Sequence, residues 1–200
     1  MFIPAKKSLG QNFLKDENIL SNISNAVDVL QNDFIIEIGP GKGALTKYLV
    51  LKGCNYLGYE IDKRMKPILF QYTSQIIYDD FLKRDLISDL AQFSFHDIYV
   101  VANIPYYITT PIIEHLIESQ VPIKKMVLLV QKEVAERFCA KPGSKDYGYF
   151  TVYLNYYFHV TKLFDVSKFC FEPVPNVTSS VVCFESKEVS FHSDDKEYFM

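Results

Sequence analysis

The chain has 200 residues, of which 48% are hydrophobic and 22% charged, a composition typical of a globular domain with a sizeable core. Its net charge of −3 excludes a surface that is basic throughout, so binding to nucleic acid requires a local basic patch. No apolar run approaches the roughly 20 residues of a membrane helix, and the N-terminus lacks the apolar core of a secretory signal. We therefore expect a soluble, cytoplasmic protein.

Cysteine and histidine usage predicts neither a metal centre nor a disulfide framework. The four cysteines are Cys54, Cys139, Cys170 and Cys183. They show no C-x-x-C pairing, and the four histidines are equally scattered, so the spacing of zinc ligands is missing. We expect free thiols and no metal.

Short apolar runs alternate with amphipathic stretches through most of the chain. Predicted strands cover 34–38, 56–61, 75–80, 97–103 and 124–131, and predicted helices cover 44–53, 62–73, 109–120 and 132–140. We expect Gly53 to end the first helix and threonines to cap the third, with Pro111 in its first turn.

The tail changes character, since residues 149–166 and 179–186 are predicted as two long strands without a helix. The pattern predicts an α/β fold: a mostly parallel, seven-stranded sheet with an antiparallel C-terminal hairpin and helices on both faces.

The informative polar residues fall where predicted strands end. Gly39 follows the first strand, Glu60 lies near the end of the second, Asp80 ends the third and Asn103 ends the fourth. Because ligands bind at the carboxyl ends of parallel strands, we expect these four residues to meet on one rim.

A glycine-rich turn follows the first strand. Gly39, Gly41 and Gly43 have the spacing G-x-G-x-G, which differs from the dinucleotide fingerprint G-x-G-x-x-G. Glu60 lies 21 residues beyond Gly39, where such folds place an acid that accepts hydrogen bonds from ribose hydroxyls. The pair predicts a nucleoside-containing cofactor and leaves NAD and S-adenosylmethionine both open.

Two further acids bear on that choice. Glu37, just before the glycines, suits the cationic end of a methionine moiety better than a pyrophosphate. Asp80 could accept a hydrogen bond from the adenine amino group, although capping a turn is the simpler role for an isolated aspartate.

The segment Asn-Ile-Pro-Tyr at the end of the fourth strand suits methyl transfer to an exocyclic adenine nitrogen. The Asn103 side-chain oxygen and the Ile104 carbonyl can accept hydrogen bonds from the two amino hydrogens. Pro105 restricts the backbone at Ile104, and Tyr106 offers a flat face on which an extruded base can stack. The alternative is an ordinary Asn-x-Pro turn.

At this point the chain resembles a known family. The motifs are "KKSLGQNFLKDENIL", "IIEIGPGKGALT", "GYEID", "VVANIPYYITTPII", "LLVQKEVAERFCAKPGSKDYG" and "FCFEPVPNVTSSVV", which together span about residues 6 to 184. They resemble the KsgA-type rRNA adenine dimethyltransferases, related to the erythromycin-resistance rRNA methyltransferases. The resemblance implies a class I S-adenosylmethionine-dependent methyltransferase fold.

It also implies residue roles. Cofactor contacts would come from Asn12, Leu14, Gly39, Glu60, Asp80 and Asn103, and the target base would be held between Tyr106 and Phe171. From the glycine turn we also expect Glu37 and Gly41 to contact the cofactor. From the Asn-Ile-Pro-Tyr segment we expect Pro105 to be one of the catalytic residues. Without its motif, Phe171 would be interpreted as core packing.

The implied activity is dimethylation of two adjacent adenines near the 3′ end of small-subunit (16S) rRNA during ribosome biogenesis. The implied partners are that rRNA and the assembling 30S-type particle, and we expect a monomer. Three alternatives stay open: a resistance-type enzyme acting on large-subunit rRNA, an assembly factor whose methylation is secondary, and, more distantly, a nicotinamide oxidoreductase.

The chain departs from the family pattern at three positions where asparagine or a basic residue is frequent: Tyr107, Tyr149 and Asn176. The expected RNA contacts are two basic clusters, Lys6, Lys7 and Lys15 in one and Arg137, Lys141 and Lys145 in the other. We expect residues 1–186 to form the catalytic domain and 187–200 to begin a truncated helical domain.

Overall fold

The structure is a computed structural model that describes residues 3–187, including every side chain in that range except that of Tyr106. Within this range the α-helices are α1 (Glu17–Asn25), α2 (Thr46–Leu49), α3 (Lys66–Leu69), α4 (Leu86–Leu90), α5 (Thr109–Glu118), α6 (Lys132–Phe138) and α7 (Tyr149–Tyr157). The strands are β1 (Phe13–Leu14), β2 (Phe34–Ile38), β3 (Asn55–Tyr59), β4 (Ile76–Ile77), β5 (Ile98–Asn103), β6 (Ile123–Gln131), β7 (Phe158–Val166), β8 (Phe171–Glu172) and β9 (Ser179–Ser186).

Seven of these strands form one sheet in the order β4-β3-β2-β5-β6-β9-β7. The first five in that order pair in parallel, whereas β9 is antiparallel to both β6 and β7. The predicted mostly parallel sheet with an antiparallel C-terminal pair is confirmed. The last strand lies between β6 and β7, so β7 rather than β9 forms the edge.

Helices cover both faces of the sheet. One face packs against α4, α5, α6 and α7 through a cluster that includes Ile36, Val100 and Leu116. The other face packs against α1 and α2 through a cluster that includes Ile35 and Leu20. Because β2 is covered on both sides, all five of its residues are buried, as its β-branched sequence predicts.

A second, two-stranded sheet joins distant parts of the chain. β1 and β8 pair antiparallel, with Phe13 opposite Glu172 and Leu14 opposite Phe171. This pairing holds the N-terminal segment beside the carboxyl ends of the parallel strands, where the functional site lies.

The prediction of a single strand over 149–166 is wrong in its first half, where the chain forms α7. Aromatic residues favour strands in general, which is why the segment looked extended. However, Tyr149, Tyr153 and Tyr157 recur every four residues, which aligns their rings along one helix face, while Thr151 and Leu154 are buried. Burial of that second face stabilises the helix.

Smaller predictions also have outcomes. The 3-10 turn Val50–Lys52 extends α2 and ends at Gly53, which has a left-handed conformation with φ of 76°, as predicted. The predicted threonine cap of α5 is wrong: Ile108 occupies the capping position and makes no side-chain cap, although Pro111 does lie in the first turn. No helix in the described part of the chain is both long and apolar enough to cross a bilayer. The predicted start of a second domain lies, from residue 188 onward, outside the described residues.

Candidate active site

A cavity of about 400 Å³ opens at the carboxyl ends of β2, β3, β4 and β5, within the size range of small-ligand pockets. It brings together nearly all the predicted site residues. Those that line it are Asn12, Leu14, Glu37, Gly39, Gly41, Glu60, Asp80, Asn103, Pro105 and Phe171. The remaining one is Tyr106, whose side chain lies outside what the structure describes.

The glycine turn wraps tightly around the floor of this cavity. Gly39 and Gly41 have φ angles of 74° and 57°, which residues with a side chain rarely adopt. A Cβ atom on Gly39 would lie 3.2 Å from the backbone oxygen of Asn103. The lack of a side chain at Gly39 therefore lets the turn approach the end of β5 closely.

Glu60 is held by backbone donors on both of its carboxylate oxygens. Gly41 N–H donates to one oxygen at 2.7 Å, and Asp62 N–H donates to the other at 2.8 Å. The residue is only 4% exposed, and this burial raises the pKa of its carboxyl group, while the two backbone hydrogen bonds act in the opposite direction. The acid is fixed against the glycine turn, and each oxygen keeps a lone pair for a ligand.

Glu37 is buried beneath the turn. Thr46 Oγ1 donates to its carboxylate at 2.8 Å, and the Tyr56 hydroxyl donates to the same oxygen. Burial raises the pKa of Glu37 to about 7, opposed by these two hydrogen bonds and reinforced by the nearby Glu60. A cation placed in the cavity would favour the ionised form of this acid.

The N-terminal segment is tied to the same rim by contacts that the sequence did not predict. Gln11 Nε2 donates to Asp62 Oδ2 at 2.9 Å, and Arg64 binds the same carboxylate at 2.6 Å. The hydrogen bonds from Arg64 are the main reason that the pKa of Asp62 falls to about 2. The Phe13 ring lies against the glycine turn, because a Cβ on Gly41 would meet it at 3.2 Å.

These supporting residues carried little signal in the sequence. Thr46 and Tyr56 lie within a predicted helix and a predicted strand, where a polar group facing inward cannot be told from one facing solvent. Asp62 gave one usable cue, since an aspartate before a helix predicts a capping role. In the structure the Asp62 side chain accepts from Arg64 N–H and so caps the short helical turn that follows.

Asn103 is half-buried at the end of β5, where it pairs with Leu129 of β6. Pro105 follows with φ of −56° and ψ of 136°, an extended conformation that leads into a short 3-10 turn over Tyr106–Ile108. Asn103 lines the cavity from the strand that pairs with β2, which precedes the glycine turn.

Phe171 is more buried than its expected role requires, whereas Asp80 has both the capping role and the rim position considered for it. Phe171 lines the cavity but is 1% exposed and packs in the core with Leu14 and Leu20, so its ring offers little surface for a base in this structure. Asp80 caps a turn by accepting from Leu82 N–H at 3.2 Å, and it also lines the cavity.

All six cations of the two predicted basic clusters are exposed. None of the six forms an ion pair with another of the described residues, in contrast to Arg64 and Arg84. Their charge is therefore available to a phosphate backbone.

The glycine turn and the buried acid are those of an α/β fold that binds a nucleoside-containing ligand. The fold is similar to that of S-adenosylmethionine-dependent methyltransferases. The model of the family described as "Ribosomal RNA adenine dimethylase" matches residues 3–200, and the chain belongs to this family. The family and its structural neighbours imply a methyl donor of the S-adenosylmethionine type.

Individual similar proteins also support membership of this family. The chain is 46% identical over 200 residues to "Ribosomal RNA small subunit methyltransferase A" of Anoxybacillus flavithermus, an alignment covering 95% of this chain and 68% of that protein. A crystal structure of a dimethyladenosine transferase from Plasmodium falciparum matches with a TM-score of 0.79 and 32% identity, over 93% of this chain and 67% of the other.

The 23S rRNA methyltransferase ErmE matches with a TM-score of 0.78 and 24% identity, over 94% of this chain and 76% of ErmE, which shows the shared fold. The chain spans about two thirds of the length of its curated relatives.

Proposed function

We propose that the chain transfers methyl groups from S-adenosylmethionine to N6 of two adjacent adenines near the 3′ end of small-subunit rRNA. The proposal includes residues 1–186 as the catalytic domain and the assembling small subunit in the cytoplasm as substrate. The observation that carries it is the meeting of Asn103 with the glycine turn and Glu60 in one cavity. The relatives named as small-subunit methyltransferases favour this substrate over large-subunit rRNA.

Residues of the cavity suit both the ribose and the methionine part of S-adenosylmethionine. Glu60 presents two fixed carboxylate oxygens to a pair of ribose hydroxyls, and Gly39 leaves open the space that a Cβ would fill beside Asn103. Burial raises the pKa of Glu37 to about 7, and a cationic methionine group beside it would favour its ionised form. When bound, the cofactor supplies an electrophilic methyl group on a sulfonium.

Asn103 and its neighbour then act on the adenine. The N6 lone pair is delocalised into the ring, and positive charge develops on nitrogen as it attacks the methyl carbon. The Asn103 side-chain oxygen and the Ile104 carbonyl accept hydrogen bonds from the amino hydrogens, which stabilises that charge. The nitrogen releases its extra proton to water after transfer, so a strong general base is unnecessary.

The test is methylation of unmethylated small ribosomal subunits, followed by mass spectrometry of rRNA fragments. We expect dimethyladenosine at two adjacent positions with the wild-type chain. Asn103→Ala should lower the methylation rate by about 10²- to 10³-fold, the usual effect of removing one preorganised hydrogen-bonding group.

Asn32→Ala is the matched control, because Asn32 is an exposed asparagine just before β2, at the opposite edge of the sheet. It should keep the wild-type rate. Methyl incorporation only into large-subunit RNA, or an Asn103→Ala rate equal to wild type, would overturn the proposal.

A further inference from the structure

A second cavity, of about 300 Å³, lies between α5, α6 and α7, and it shares no lining residue with the catalytic cavity. It is lined by Thr110, Arg137, Gly148, Tyr149, Phe150 and Thr151. Its volume is at the lower end of the range for ligand pockets, which suits one planar group rather than a long chain.

The walls of this second cavity are held in place by buried contacts. The Thr151 hydroxyl, which is fully buried, accepts from Gly148 N–H at 3.3 Å and donates to the Arg137 carbonyl at 2.8 Å. The start of α7 is thereby fixed to the end of α6. Phe150 also packs against Phe138, with ring centroids 5.4 Å apart. A pocket that is already formed costs little entropy when a ligand binds.

The groups at its mouth are those that bind unpaired nucleobases. Tyr149 is 62% exposed, and its ring lies nearly parallel to that of Tyr153, at 18° with centroids 6.2 Å apart. Arg137 adds an exposed guanidinium, and Lys141 and Lys145 are exposed on the adjoining loop. Aromatic rings stack on bases of any sequence, and neighbouring cations attract the phosphates.

The second cavity is adjacent to the catalytic one. The first turn of α5 separates them: Ile108 and Ile112 line the catalytic cavity, whereas Thr110 lines the second. The two cavities therefore lie on opposite sides of one helix, which is about 10 Å across. A single RNA strand can reach both.

From this juxtaposition we infer that the second cavity binds an unpaired base of the rRNA substrate, close to the target adenines, with Tyr149 as the stacking face. The inference rests on the proposed function. In this role Tyr149 is a substrate-positioning residue, and its contribution comes from stacking rather than from charge.

The experiment measures KM and kcat of methylation of unmethylated small subunits over a series of salt concentrations. Tyr149→Ala and Tyr149→Leu should each raise KM about tenfold, with little change in kcat, because the base loses its stacking partner. Tyr149→Phe should stay within about twofold of wild type, since it keeps the ring. The salt dependence of KM should be unchanged in all three variants, whereas Arg137→Ala should reduce its slope.

Phe70→Ala is the matched control, because Phe70 is an aromatic residue that is 70% exposed and lines neither cavity. It should leave KM unchanged. Calorimetry with S-adenosylmethionine verifies that each variant is folded. A wild-type chain that does not methylate small subunits contradicts the proposed function, whereas an active wild type with unchanged KM in Tyr149→Ala and Tyr149→Leu contradicts the second base site alone.

Discussion

Two regions of the molecule meet at the catalytic cavity and are built in opposite ways. The cofactor side, formed by β2, β3, β4 and the turns after them, fixes its acids by burial and by backbone N–H groups, as at Glu60. The side that we propose binds RNA, called the RNA side, is formed by α5, α6, α7 and the loop at 141–148, and it presents exposed groups such as Tyr149 and Lys141.

Under the proposed function, the difference follows from what each side binds. A small ligand is enclosed, so its partners must be preorganised and desolvated, which shifts the pKa of Glu37 and Glu60. An RNA strand covers a surface, so its partners stay in water until it arrives. We expect substitutions of the buried groups on the cofactor side to change stability and cofactor binding, and substitutions of the exposed groups on the RNA side to change only RNA binding.

The largest expected effect is the pH dependence caused by Glu37. Burial raises its pKa from 4.5 to about 7, so between these values the folded chain holds a proton that the unfolded chain has released. The free energy of unfolding should therefore fall by up to ~3 kcal/mol as pH rises through this window, and level off above it.

Urea unfolding of wild type and of Glu37→Gln, from pH 4.5 to 8, isolates this contribution because the other titrating groups are common to both chains. The difference between the two unfolding free energies should shift in favour of Glu37→Gln as pH rises. A difference independent of pH would mean that Glu37 titrates at its ordinary value.

A smaller effect is expected at the glycine turn. Gly39 and Gly53 have similar φ angles of 74° and 76°, but a Cβ on Gly39 would crowd the Asn103 oxygen, whereas a Cβ on Gly53 would meet nothing within 4 Å. Alanine at either position should reduce the unfolding free energy by ~1–2 kcal/mol, the cost of a left-handed conformation. Only Gly39→Ala should also lower the methylation rate, by at least about tenfold.

Gly53→Ala is thus the control for backbone strain, and both variants are compared by urea unfolding and by methylation assay. Equal activity of the two would show that the close approach of Gly39 to β5 is dispensable for catalysis.

The smallest effect is expected for single cations on the RNA side. Lys141→Ala or Lys145→Ala should weaken RNA binding only a few-fold and reduce the slope of log affinity against log salt by ~0.7, the value for one phosphate contact on a single strand. Unfolding free energy should not change. Lys63 is an exposed cation on the cofactor side, so Lys63→Ala should leave the slope as in wild type. An equal reduction of the slope in Lys63→Ala would mean that the two sides do not differ in RNA binding.

The cofactor side was the more predictable from sequence for a physical reason. A left-handed turn demands glycine, and a buried parallel strand demands an unbroken apolar run, so Gly39 and 34–38 could be recognised locally. The ends of parallel strands converge by topology, which predicts from the sequence alone that Glu60 and Asn103 lie together.

The RNA side was less predictable because its signals conflict or depend on distant residues. The tyrosines of α7 favour a strand by propensity and a helix by their four-residue spacing, and burial of Thr151 and Leu154 decided the outcome. The second cavity needs three helices to be packed together, which no short motif encodes. Likewise, burial of Phe171 depends on pairing of β8 with β1.

That pairing has a consequence for how the protein is made. A ribosome that has translated the glycine turn and Asn103 has produced the floor of the catalytic cavity, but the wall formed with Phe13 and Leu14 still lacks Phe171 and Glu172. Domains generally fold as units during synthesis. The nascent protein therefore completes its catalytic cavity only after residue 172 has emerged from the ribosome.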